Sequence, residues 1–221
     1  MTKSVLTKDL FDCPDNYLTP LFNKTYPWEI LQHLKDFIKD FINTGASNFK
    51  EISEGIFVGE NVKISPLATI TPPAIIGSNT ELRPGAFLRG NVIIGENCVI
   101  GNSSELKHCV LLNNVQVPHY NYIGDSVLGN HSHMGAGSIC SNLKSDKTNI
   151  VVHSDENYET NLRKVGAMLA DYADVGCNCV LNPGTIIGKF SSIYPLTSVR
   201  GVIPANSIMK DSKTIVEKLK I

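Results

Sequence analysis

His119 stands in the run Pro118-His119-Tyr120-Asn121-Tyr122-Ile123-Gly124-Asp125-Ser126, which is followed by Gly135-Ala136-Gly137 and then by Cys140-Ser141-Asn142. An imidazole titrates near neutrality and can take a proton from an attacking group. Twelve residues before it stands Lys107, in Ser104-Glu105-Leu106-Lys107, and Arg89 and Arg83 precede that. An ammonium and a guanidinium fork both suit phosphate oxygens. Glycines let backbone N–H groups approach a reacting carbonyl closely. Singly, each residue reads as a solvated surface side chain. As a set they offer a base, cations for an anion, and donors for a developing oxyanion.

The elements that must hold this set are written in a period of six. Val58, Ile64, Ile70, Ile76, Leu82, Leu88, Ile94, Ile100, Leu106 and Leu112 stand six apart, and mostly small residues follow four later, from Val62 and Ala68 to Ser104 and Val110. Neither an α-helix nor an ordinary strand has that period. A hexapeptide repeat does, and it builds a β-solenoid whose aliphatic positions point inward and stack coil on coil. The chain then divides into an N-terminal helical cap (1–54), a β-helix (55–205) and a C-terminal segment (206–221).

The rhythm breaks twice. After Leu112 the next inward position falls at Pro118 and the phase returns at Leu128, Met134 and Cys140, which predicts a bulge between Val117 and Tyr122. Residues 143–164 are polar and charged with no six-residue phase, and read as a loop or hairpin leaving the prism. Loops on a rigid scaffold are where binding usually resides. The repeat resumes from Leu169 to Val199.

Pro27 opens an amphipathic helix with Trp28, Leu31, Leu34, Ile38, Phe41 and Ile42 on one face and Gly45 at its end. It is expected to cover the blunt N-terminal end of the solenoid, the alternative being a helix that binds a partner. Residues from Asn206 onward read as a short helix closing the other end.

Composition narrows the classes. The formal charge is -1 with no long basic run, so the footprint of a nucleic-acid binder is missing. No stretch reaches the length of a membrane span, and the N-terminus lacks a signal-peptide core. Six cysteines are scattered, with Cys98, Cys140 and Cys179 at core positions, which fits a reduced, cytoplasmic protein. Cys177-Asn178-Cys179 is not a zinc spacing and reads as packing.

From His119 to Asn142 the sequence resembles the hexapeptide-repeat acyltransferases, in particular the acetyltransferase half of the bifunctional bacterial enzyme that makes UDP-N-acetylglucosamine, and its archaeal sugar-phosphate relatives. That family shows Gly-His-x-x-Tyr-x-Gly-Asp and then Gly-Ala-Gly-Thr-Ile-x-x-Asn; His119, Tyr122, Gly124, Asp125, Gly135, Ala136, Gly137 and Asn142 match it without a gap. The resemblance covers about residues 55 to 205 and implies an all-β, left-handed parallel β-helix that forms homotrimers. It implies acetyl-CoA-dependent N-acetylation of an amino-sugar phosphate, with His119 as general base. Lys107 and an arginine would bind the phosphate, and Tyr122 and Asn142 the sugar. Arg83 has the more family-like neighbours; Arg89 stands one full coil of eighteen residues before Lys107 and is favoured by stacking. Ala136, Gly176, Cys177 and Arg200 are the expected acetyl-CoA contacts, and no metal is implied.

Several positions depart from the pattern. Leu143 replaces the family's tyrosine, His133 replaces an asparagine that contacts the sugar, and the sugar-contacting lysine aligns only loosely with Lys147. No uridylyltransferase signature is present in these residues. Two rival readings remain. One is a gamma-type carbonic anhydrase, for which His108, His119, His131 and His133 supply histidines without the family's spacing. The other is a non-catalytic scaffold that binds a sugar nucleotide or a partner protein.

Overall fold

The computed structural model describes residues 3–13, 16–44 and 48–219. The repeat folds into a β-solenoid with three flat faces, numbered in chain order. Face 1 runs from Ile56–Val58 to Val202–Ile203, face 2 from Lys63–Ile64 to Ser207–Met209, and face 3 from Thr69–Thr71 to Ser198–Val199. Strands of successive coils pair in parallel, Leu82 with Ile100 on face 2 and Ile70 with Leu88 on face 3. The expected ladder from Val58 to Leu106 forms one continuous core, with Cys98, Cys140 and Cys179 inside it.

The phase then shifts in a way the spacing does not predict. Leu111, not Leu112, is the next inward residue, and Cys109 rather than Val110 takes the small corner position. The side between Leu106 and Leu111 is one residue short, as is the side between Ile123 and Leu128. The expected bulge at 117–122 is thus replaced by two tight corners, Lys107-His108-Cys109 and Gly124-Asp125-Ser126, and Val117 rather than Pro118 faces the core. His108 and Asp125 adopt positive φ (49° and 47°) to turn these corners. Four apolar residues in a row, Cys109 to Leu112, leave the six-residue phase ambiguous.

Face 1 is buried on both sides. Its strands read Ala74-Ile75-Ile76, Val92-Ile93-Ile94 and Cys109-Val110-Leu111, and every one of these residues is buried. The central residue of each points outward, so Ile75, Ile93, Val110, Val127, Met168 and Ile186 make a second apolar layer. Strands buried on both faces read as unbroken apolar runs. Helix α1 (Thr7–Leu10), α2 (Thr19–Phe22) and α3 (Pro27–Thr44) supply the cover. Ile30, Leu31, Leu34, Ile38 and Phe41 of α3 join that layer, and Ile42 packs against it half-buried. The helix therefore lies along a face and does not close the end of the coil, because the open apolar surface is on face 1. Pro27 begins α3 as expected, with the Tyr26 N–H donating to Glu29 Oε2 at 2.9 Å; Gly45 lies outside the described residues.

The excursion at 143–164 is an antiparallel hairpin, Val151–His153 with Asn157–Glu159. It folds back onto the same cover: Ile150 and Val152 are buried in the outer layer, and Tyr158 meets Tyr26 and Trp28. At the C-terminus the expected helix is absent. Ser207–Met209 and Ile215–Glu217 pair antiparallel, around a turn in which Asp211 Oδ1 accepts the N–H groups of Lys213 and Thr214. Thr214-Ile215-Val216 is β-branched throughout, which favours a strand, and Ile215 packs on the end of the core. No helix among the described residues is long and apolar enough to cross a membrane.

Candidate functional site

On face 3 the residues flanking each inward aliphatic point outward, because strand side chains alternate. The column nearer face 2 reads Phe87, Glu105, Tyr122, Ile139 in successive coils. The column nearer face 1 reads Arg89, Lys107, Gly124. Arg89 therefore stands over Lys107. Arg83 lies on the edge between faces 2 and 3, 3.4 Å from Glu81, and takes no part in this cluster. Arg89 Nη1 is 2.6 Å from Glu105 Oε1, with its guanidinium 5.9 Å from the centre of the Phe87 ring. Lys107 Nζ lies 3.9 Å from Asp125 Oδ2.

Asp125 is the pivot of this group. Its side chain is 8% exposed, and its carboxylate accepts a hydrogen bond from Asn142 Nδ2. Asn142 Nδ2 also donates to the Tyr122 hydroxyl at 3.3 Å. Gly124 makes this approach possible: a Cβ there would stand 2.6 Å from the Tyr122 hydroxyl and 2.7 Å from Asn142 Nδ2. Burial, and then the charge of Asp125, push the Tyr122 hydroxyl above its usual pKa, which keeps it a neutral donor. Glu105 and Asp125 join the cluster beside the residues expected from the sequence. The stacking of Asp125 on Lys107-His108 was hidden by the short corner, although the Asp itself lies within the matched motif.

His119 lies on the edge between faces 2 and 3, with its side chain exposed. Buried Asn121 shapes the corner around it. Asn121 Oδ1 accepts the His119 N–H at 3.1 Å, and Nδ2 donates to the carbonyls of Gly135 and Ser138 at 2.8 and 3.2 Å. His119, Ala136 and Cys177 follow one another along this edge: Gly137 N–H donates to His119 O, Asn178 N–H to Ala136 O, and Leu196 N–H to Cys177 O. Gly176 and Gly135 are adjacent in the next column, where a Cβ on Gly135 would come 2.8 Å from the Gly176 carbonyl carbon. Of the N–H groups in Gly135-Ala136-Gly137, the coil uses two, Gly135 to Val175 O and Gly137 to His119 O. Only that of Ala136 donates to no acceptor among the described residues.

The structure does not bring every expected residue together. Arg200 follows Val199 on face 3 and stands on the edge nearer face 1, across that face from Ala136 and Cys177. His133 points out from face 2 and pairs with Asp174 at 2.8 Å. His131 stacks on Tyr172, which stacks on Phe190, at 4.7 and 4.8 Å. His108 Nε2 meets the Leu31 carbonyl of α3 at 3.0 Å. Leu143 and Lys147 lie exposed in the excursion. A cavity of about 400 Å³ sits elsewhere, between Tyr17, Phe49 and the corner residues Glu60 and Glu96, and no candidate residue lines it.

Fold and site together define a hexapeptide-repeat solenoid carrying a cluster of paired charges and hydrogen-bonding groups on one open face, the class the resemblance implied. Residues 70–156 match the family model described as the GMPPB C-terminal domain. The chain is 32% identical over 197 residues to the bifunctional protein GlmU of Methanococcus aeolicus, covering 88% of this chain and 48% of that protein. It is 34% identical over 97 residues to a bifunctional sugar-1-phosphate nucleotidylyltransferase/acetyltransferase of Sulfurisphaera tokodaii, covering 43% and 24%. The chain thus spans about half the length of the first of these curated relatives and a quarter of the second. Among solved structures, AntD, an N-acyltransferase from Bacillus cereus in complex with dTDP and 3-hydroxybutyryl-CoA, gives a TM-score of 0.40 at 17% identity, covering 78% of this chain and 89% of that one. A mutant of perosamine N-acetyltransferase from Caulobacter crescentus, in complex with CoA and GDP-perosamine, gives 0.43 at 16%, covering 72% and 57%.

Proposed function

We propose that this chain transfers an acetyl group from acetyl-CoA to the amine of an amino-sugar phosphate of the glucosamine 1-phosphate type. The observation that carries this reading is the order of side chains across face 3. Arg89 and Lys107 stand in the column nearer face 1, Asn142 at that corner reaches the Tyr122 hydroxyl, and His119 stands at the opposite edge. A phosphate held by the two cations leaves the sugar crossing Tyr122 toward the imidazole. The relative named a bifunctional sugar-1-phosphate nucleotidylyltransferase/acetyltransferase supports an acetyl transfer in sugar-phosphate chemistry.

The small-residue edge beyond His119 suits a thioester. Ala136, Gly176 and Cys177 leave a shallow path, and the Ala136 N–H is free to donate to a carbonyl oxygen as it gains charge. His119 takes the proton as the amine nitrogen attacks the carbonyl carbon; the C–S bond breaks, and the imidazolium returns a proton to the departing CoA sulfur. Arg200, on the edge nearer face 1, contributes toward a neighbouring copy, in keeping with a homotrimer whose sites are shared between subunits.

The deciding measurement is CoA release from acetyl-CoA across a panel of amino-sugar phosphates, for the natural chain and His119→Ala. Acceptor-dependent release that falls about 10²- to 10⁴-fold in the variant is the expected result. A folded protein that neither releases nor binds CoA sinks the acetyltransferase and leaves a binding scaffold.

A further inference from the structure

Hydrogen-bond polarity at the Asp125 corner is fixed by chemistry. An ionised carboxylate only accepts, so the end of the Asn142 amide that faces Asp125 must be its NH₂. The second hydrogen of that NH₂ goes to the Tyr122 hydroxyl oxygen. Both amide donors are then used, and among the described residues Oδ1 has no protein donor. Among the described residues the only buried side-chain polar atom without a partner is Thr7 Oγ1, so Asn142 Oδ1 is open to solvent. The Tyr122 oxygen, already accepting, is left to aim its own hydrogen outward.

We infer that Asp125 is a positioning residue that sets the polarity of the acceptor site: by holding the Asn142 NH₂ it turns Oδ1 outward, and so lets the cluster take a ligand group that only donates hydrogen bonds. The inference rests on the sugar-phosphate reading and names what that site discriminates. Around the ligand, Lys107 and Tyr122 offer hydrogens and Asn142 offers the single carbonyl oxygen. An ammonium has three hydrogens and no lone pair, so it satisfies that oxygen, whereas an outward NH₂ would face it donor to donor. A hydroxyl can satisfy either polarity. Without Asp125 the amide can flip, and an ammonium then loses its acceptor while a hydroxyl does not.

The test compares the full chain's affinity for a hexosamine 1-phosphate and for the hexose 1-phosphate with the same ring, by titration calorimetry. Taking the ratio cancels any change in phosphate binding when Lys107 loses its neighbour. Asp125→Asn should lower the ratio of amino-sugar to hexose affinity about tenfold from its natural value. The double variant Asp125→Asn/Asn142→Asp should restore it, because the new carboxylate is again acceptor-only and the new amide donates to it. The ratio, not the stability, is the readout: a double variant that regains the natural stability while its ratio stays lowered overturns the inference. An unchanged ratio in a folded Asp125→Asn overturns the inference and leaves the sugar-phosphate reading standing. Should that variant not fold, a ratio in the double variant at or above the natural one supports the inference and a lower one overturns it. Binding of neither sugar phosphate by the natural chain overturns the site reading, and this inference with it.

Discussion

Faces 1 and 3 are built on the same coil and the same inward ladder, yet their outer surfaces have opposite fates. Outward residues on face 1 are aliphatic in coil after coil, and α3 and the excursion hairpin cover them. Outward residues on face 3 include Glu105, Arg89, Lys107 and Tyr122, and they are left half-buried or exposed. The inward position decides that the chain coils. The outward position, one residue away, decides whether a face is for packing or for a ligand. A face already buried by its own chain cannot serve a substrate, so face 1 is closed to one.

The sharpest way to break this contrast is to weaken the cover. Leu34→Ala removes a fully buried side chain from α3 and should cost about 2–5 kcal/mol of stability. Urea unfolding reads the loss directly. Below the unfolding transition, affinity for a sugar phosphate should be unchanged, since face 3 has no part in that contact. A loss smaller than about 1 kcal/mol would mean that α3 does not hold face 1 as described.

The converse substitution should spare stability and strike binding. Lys107→Ala deletes a partly exposed ammonium, and a charge-assisted hydrogen bond contributes about 1.5–3 kcal/mol. Sugar-phosphate affinity should therefore fall roughly ten- to a hundredfold. Arg83→Ala, on the other edge and paired with Glu81, should change affinity and stability by no more than about 0.5 kcal/mol. Equal losses from the two variants would show that the phosphate does not bind over face 3.

How much of this was legible in the sequence follows the same division. The inward ladder was plain up to Leu106, because a period of six admits one fold. The outer layer was equally present in runs such as Ala74-Ile75-Ile76, but attention to one residue in six passes over its neighbour and sends α3 to the coil's end. The phase error at Leu112 has a similar origin: a one-residue deletion inside an apolar run leaves a plausible aliphatic at the expected position. Of the site, the pairing of Arg89 with Lys107 could be read from the coil length. Asp125's contact with Asn142 could not, since it depends on a tight corner and on a chain that leaves the prism right after Asn142. The C-terminal hairpin escaped because apolar spacing suggested a helix where β-branched residues and an Asp turn make a strand pair.

One residue belongs to both regions and gives the finest test of the contrast. His108 sits on the short corner between Lys107 and face 1, with Nε2 against the Leu31 carbonyl of α3. Burial pushes its imidazole below the usual value of 6.5, and the charge of Asp125 opposes this only in part. The folded protein therefore binds this proton less readily than the unfolded chain. Its stabilising share is complete above about pH 6.5 and is lost as the pH falls through the unfolded value toward the depressed folded one. Asp171, whose carboxyl is pushed up by burial, acts with the opposite sign, but it is common to both chains in a comparison with His108→Gln. Urea midpoints between pH 7 and 5 should thus decline less steeply in the variant than in the natural chain. Parallel declines would mean that the corner holds α3 without desolvating His108, and that the cover on face 1 and the cluster on face 3 meet there without sharing a titrating group.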